Sequence, residues 1–180
     1  MKHKQLAKYL LVQFAILFIA VVISIIIKPS GLGENSGVSY YAVQPETALL
    51  IYFAFLFSSV ILLYSAFRMR KKNRSEKLVV FCMILAAICY IGLVLTPHDI
   101  IAIPHKIFGS TLFAMEFVTA YFILMKTQKL AHLLLLIAAF FSGLASLVYL
   151  FIDGYMIQSQ LIFQLAVWSI IISYLRTNKF

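Results

Sequence analysis

Six long apolar runs constrain this chain more than any other feature. They extend over about Tyr9–Ile27, Thr47–Phe67, Leu78–Leu95, His105–Met125, Leu130–Ile152 and Tyr155–Leu175. A helix needs roughly 20 mainly apolar residues to cross a hydrocarbon core about 30 Å thick. Apolar side chains surround each run on all sides without alternation, which suits lipid-embedded helices and not barrel strands. Water is excluded as the solvent: 63% of the 180 residues are hydrophobic and 12% are charged. A soluble domain has roughly 45–50% and 25%, and so short a chain has too much surface to hide the excess. Two cysteines are too few for a disulfide scaffold, and the low charge argues against disorder. The expectation is an all-α polytopic membrane protein, one six-helix transmembrane domain over residues 1–180.

The net charge of +9 is not a nucleic-acid signal, because the charges sit between the apolar runs. Thirteen of the fifteen Lys and Arg residues fall at alternate ends of the spans. They are Lys2, Lys4 and Lys8, then Arg68, Arg70, Lys71, Lys72, Arg74 and Lys77, then Lys126 and Lys129, and last Arg176 and Lys179. Lys28 and Lys106 alone fall on the other side. The positive-inside rule therefore puts both termini in the cytoplasm, which requires an even number of spans. Leu10–Ile27 is longer than the roughly 7–15 residues of a signal-peptide core and lacks a small-x-small site after it, so it reads as an uncleaved span. The Arg68–Lys77 run reads mainly as this topology signal and secondarily as an attraction for anionic headgroups. Three spans followed by three would allow an inverted repeat, but the two halves show no residue-level match.

The first outer loop, Lys28 to Glu46, is the only long connection. Tyr40 and Tyr41 read as an aromatic belt at headgroup level, or as a cap over an outward-facing pocket. Pro45 suits the start of the second helix.

Polar groups inside a bilayer are costly and so mark sites. Glu116, near the middle of the fourth run, must be paired, hydrated or protonated, with Gln13 and Gln164 as candidate partners. Its roles would be proton carrier, cation ligand or polar contact for a buried headgroup, against a structural hydrogen bond to a neighbouring helix. His105 lies eleven residues earlier, within about 20° of the same face and roughly 16 Å away along the axis. It reads as an interfacial His or as the outer mouth of a path to Glu116. His98, Asp99, His105 and Asp153 gather on the outer side. Two histidines and two carboxylates are a ligand set for zinc with an open water position, although the i, i+4 spacing of zincins is missing. Asp99 also suits a helix cap, and Asp153-Gly154 a turn. Haem is disfavoured because the histidines lie at opposite membrane faces. Cys82 and Cys89 read as small apolar residues about 10 Å apart on one helix face. Ala138, Ser142 and Ser146 form a small-xxx-small packing stripe, with Ser58 and Ser59 as a second seam.

Three features resemble the DRAM-like (damage-regulated autophagy modulator) group of six-span proteins and the uncharacterised prokaryotic six-span families near it. They are Ser39-x-Tyr41 with Pro45-Glu46 before span two, the basic inner loop, and Pro97-His98-Asp99 followed by His105 at span four. The resemblance implies lipid-linked or membrane-organising roles and no established catalytic set. The leading expectation is a non-enzymatic protein of the cell membrane that binds lipid, a partner membrane protein or a second copy of itself. Its outward-facing polar pocket would include His98, Asp99, His105, Glu116 and Asp153. The alternatives are a membrane-embedded, metal-dependent hydrolase on the outer His/Asp cluster and a small proton- or cation-coupled transporter on Glu116.

Overall fold

A computed structural model describes residues 3–34, 37–69, 74–149 and 155–177. The described residues form helices α1 (His3–Ile27), α2 (Val38–Val43), α3 (Ala48–Arg68), α4 (Arg74–Leu95), α5 (Ala102–Thr127), α6 (Leu130–Val148) and α7 (Met156–Thr177). A 3-10 turn, Pro29–Gly33, precedes α2. Six of these helices, all but α2, are long and apolar enough to cross a membrane.

The bundle buries a set of polar side chains within a mainly apolar core and also turns large apolar side chains outward. Gln13, Ser24, Ser58, His105, Glu116 and His132 are buried, while Leu49, Phe67, Leu134, Phe140 and Phe141 stand exposed. Lipid tails solvate apolar side chains as well as a protein interior does, so shape and hydrogen bonding decide which face turns inward. Helices α1, α3, α4, α5 and α7 close a ring through successive contacts. Helix α6 packs outside that ring, closely on α7 and more loosely on α5. Gly92 sets the close approach of α4 to α5, because a Cβ there would overlap the Phe108 ring.

Several local expectations are corrected. The fourth span begins at Ala102, not His105, and so takes Pro104 into its first turn, where a missing N–H is harmless. Asp99 is exposed and caps nothing; the N-cap is Ile101, with no side-chain bond. The Pro97 carbonyl closes the turn before the helix, accepting the Ile100 and Ile101 N–H groups at 3.1 and 2.8 Å. Helix α6 ends at Val148 with Tyr149 as its C-cap, and Ile152 lies outside the described residues. Pro45 lies upstream of α3, in the turn that Gln44 closes by accepting the Thr47 and Ala48 N–H groups.

Tyr41 is not a belt residue. It is fully buried under the first loop, against Gly31, with its ring edge-to-face on Tyr40 at 5.3 Å. The loop folds back over the bundle because its own polar groups find partners there. Thr47 Oγ1 donates to the Tyr41 carbonyl at 2.7 Å. Gln158 Nε2 donates to the Leu32 carbonyl at 3.2 Å, and the Val38 N–H donates to Gln160 Oε1 at 3.0 Å. Lys28 bonds Gln44 and lies 3.7 Å from the Glu46 carboxylate. The loop is thus tied to the first turns of α7.

Candidate functional site

Glu116 sits on the inward face of α5 and is 4% exposed. Gln164 of α7 donates to its Oε2 at 2.6 Å, and the Tyr90 hydroxyl of α4 donates to Oε1 at 3.3 Å. Trp168, one turn beyond Gln164, donates its indole N–H to Gln164 Oε1 at 2.8 Å. Three helices are thereby joined by a chain of neutral donors ending on one carboxyl group. Among the described residues no Lys or Arg lies within ion-pair distance of it. Gln13 is not a partner of Glu116; it donates to Ser58 Oγ at 3.1 Å and joins α1 to α3. Tyr90 and Trp168 were not singled out from sequence. The i, i+4 spacing of Gln164 and Trp168 was the available signal for the second, and nothing local marked the first.

At the loop end the second polar centre is His105, which is 3% exposed and so not a wet interfacial residue. Its Nε2 lies 2.6 Å from Ser39 Oγ on α2, and its Nδ1 lies 2.5 Å from the Thr96 carbonyl oxygen. A carbonyl only accepts, so Nδ1 carries the proton and Nε2 accepts from the Ser39 hydroxyl. Thr96 is itself held by its N–H and Oγ1, both donated to the Gly92 carbonyl. The His98 ring lies edge-on to His105 at 5.5 Å between centroids. Burial pushes His98 below the ordinary imidazole range, Lys106 pushes it further the same way, and Asp99 opposes them. Asp153 lies outside the described residues. Among the described residues no three His, Cys, Asp or Glu side chains come together as a metal-binding group.

Between these two centres runs a cavity of about 440 Å³. His98, Ser39, His105, Lys106 and Gln160 border its loop end, and Tyr90 and Gln164 border its deep end. Its walls are largely apolar, from Phe14, Leu17, Phe113, Phe117, Phe140 and Phe163 among others. Space exists because α5 and α6 present small residues there: Gly109, Ser110 and Ala114, and Ala139, Gly143 and Ser146. Exposed Ser110, Phe140, Leu144 and Leu147 also border it, so it opens sideways between α5 and α6.

The stripe on α6 lies beside this opening. Ser142 and Ser146 are buried, and Ser146 Oγ meets Ser159 Oγ of α7 at 2.7 Å. Ala138 is half-buried and takes the Ser142 hydroxyl on its carbonyl at 2.7 Å. Cys82 and Cys89 are buried free thiols. No family model, curated protein or solved structure matches the chain.

Proposed function

We propose that this integral membrane protein takes a single-chain amphiphile, or one chain of a lipid, from the bilayer through the opening between α5 and α6. The observation that carries the reading is the cavity: about 440 Å³, apolar along its walls and polar at both ends. That volume falls within the roughly 300–1,000 Å³ of small-molecule sites, whose few polar groups fix orientation. The apolar chain lies along the phenylalanine walls. Its polar head meets Ser39, His105, Lys106 and Gln160, and the Glu116 network closes the deep end. The distribution of Lys and Arg supports cytoplasmic termini, an outward-facing loop end and residence in the cell membrane. The resemblance to DRAM-like proteins agrees with a lipid-linked role.

The test is lipid retention. Protein purified in mild detergent is expected to carry bound lipid by native mass spectrometry, and to bind a fluorescent lysolipid saturably. Gly109→Leu puts four carbons of a good helix former at the cavity wall and is expected to weaken both signals. Binding by that variant at wild-type strength would refute the proposal.

A second reading rests on Glu116. A buried carboxyl group served only by neutral donors, two of which border the cavity, suits uptake of a proton or cation. Reconstituted vesicles carrying Glu116→Gln test it. Proton-coupled flux that persists unchanged, or is absent from the wild type, removes that reading.

A further inference from the structure

We infer that Ser39 and His105 are a nucleophile and general-base pair that cleaves the acyl ester of a lipid seated in the cavity. The inference rests on the lipid-binding reading above and adds chemistry to it.

Three observations meet here. The Ser39 hydroxyl lies 2.6 Å from His105 Nε2, within reach for direct proton transfer. The opposite ring nitrogen lies 2.5 Å from the Thr96 carbonyl oxygen, which fixes the tautomer with Nε2 free to accept. This is the role a carboxylate plays in a Ser-His-Asp triad, taken by a backbone oxygen that α4 holds in place. Finally, both side chains border the lipid-sized cavity. A Ser–His bond that merely tied α2 to α5 would have no need to face a void.

Position also fits the substrate. His105 stands in the first turn of α5, about 4.5 Å along the axis from its first residue. The first turn of a spanning helix suits the border between headgroup and hydrocarbon, where a glycerolipid carries its esters. An acyl chain running inward from that point follows the phenylalanine walls toward Tyr90 and Gln164.

The reaction proceeds in two halves. Ser39 Oγ bonds to the ester carbonyl carbon while its proton passes to His105 Nε2. The carbonyl electron pair moves onto oxygen as a tetrahedral oxyanion forms. Lys106 and the amide NH2 of Gln160, whose Oε1 is occupied by the Val38 N–H, are donors in the wall of the same cavity. Collapse breaks the bond to the alcohol oxygen, which leaves with the proton from Nε2. Water, the co-reactant, then attacks the acyl-serine with His105 as base. The fatty acid departs and the proton returns to Ser39.

The experiment uses the full-length protein in detergent micelles and an alkyl fluorophosphonate. Ser39 Oγ is expected to bond to phosphorus as fluoride leaves, and peptide mass spectrometry is expected to find the adduct on Ser39. Long-chain p-nitrophenyl esters are expected to be hydrolysed, and Ser39→Ala to slow this by at least about a hundredfold. Lysolipid binding is measured on the same wild-type samples, so that binding and ester cleavage are read separately. Binding without an adduct on Ser39 and without ester hydrolysis overturns the inference and leaves the lipid-binding reading intact. Loss of binding in the wild type overturns both. An adduct on another residue overturns the assignment of Ser39, and mapping on the wild type decides this even if Ser39→Ala fails to fold.

Discussion

The two halves of the bundle are built from the same helices and differ in what they leave empty. Toward the loop end, α1, α5, α6 and α7 surround about 440 Å³ of open space. Toward the end carrying the termini, Leu10, Met83, Ile123, Trp168 and Tyr174 leave about 30 Å³. Helix α5 shows the contrast along a single face. Gly109 borders the cavity, while Ala120, eleven residues on, is fully buried. The Glu116 network lies at the boundary. Stability is therefore concentrated at one end and vacancy at the other, with polar side chains bordering the vacancy.

The largest expected effect comes from Trp168, on the packed side of that boundary. It is 2% exposed, its ring stacks on Phe14 at 6.2 Å between centroids, and it holds Gln164 in place. Trp168→Ala is expected to cost about 3–5 kcal/mol, as for other large-to-small core changes. Trp168→Phe retains most of the packing and leaves Gln164 Oε1 without its donor. That bond runs within α7, and its loss is expected to cost about 0.5–1.5 kcal/mol. Detergent-titration unfolding separates the two. Equal losses for Ala and Phe would mean that the hydrogen bond and not the packing dominates.

A matched pair on α5 tests the contrast directly. Ala120→Leu forces three extra carbons into a filled interior and is expected to cost about 1–3 kcal/mol. At Gly109 the nearest atom to an added Cβ is Leu93 Cδ2 at 3.9 Å, so Gly109→Leu finds room. Relief of the glycine entropy is expected to leave it neutral, or more stable by about 0.5–1 kcal/mol. Melting temperatures of the two variants in one detergent check the signs. The same sign at both positions would dissolve the distinction between the halves.

Much of this architecture is legible in the chain, and the unread part has a physical cause. Six spans follow from hydropathy, since a bilayer demands a fixed length of apolar helix. The pairing of Glu116 with Gln164 is legible because so few polar residues enter the spans that partners are scarce. By the same count Gln13 looked equally suitable, and only the packing of α1 on α3 turned it to Ser58. Ser39 meeting His105 across 66 positions is invisible to periodicity, because it depends on how the first loop folds back. Tyr41 misled for the same reason. A tyrosine in an outer loop reads as interfacial until Gly31 makes a slot for its ring.

Smaller effects are expected where polar groups tie helices in pairs. Gln13→Leu removes one bond, to Ser58, and also removes Oε1, which is buried without a hydrogen-bond partner among the described residues. Interhelical hydrogen bonds in membranes average about 0.6 kcal/mol, so a loss well under 1 kcal/mol is expected. A loss as large as that of Trp168→Ala would give the α1–α3 contact a weight that the packing does not.

The smallest effect is a pH dependence at the loop end. Burial and Lys106 hold His98 below its ordinary value of 6.5, so folding favours the neutral ring. The resulting stabilisation is fully present above about pH 6.5 and is lost as pH falls through the lowered folded value. Because His98 is half-exposed, solvent screens the effect, and a slight fall in Tm is expected on acidification from pH 7 toward pH 5. His98→Asn removes the titrating group and is expected to flatten that part of the profile. Parallel Tm curves for wild type and His98→Asn would show that acid acts elsewhere, and the loop end would lose its claim to be the pH-sensitive half.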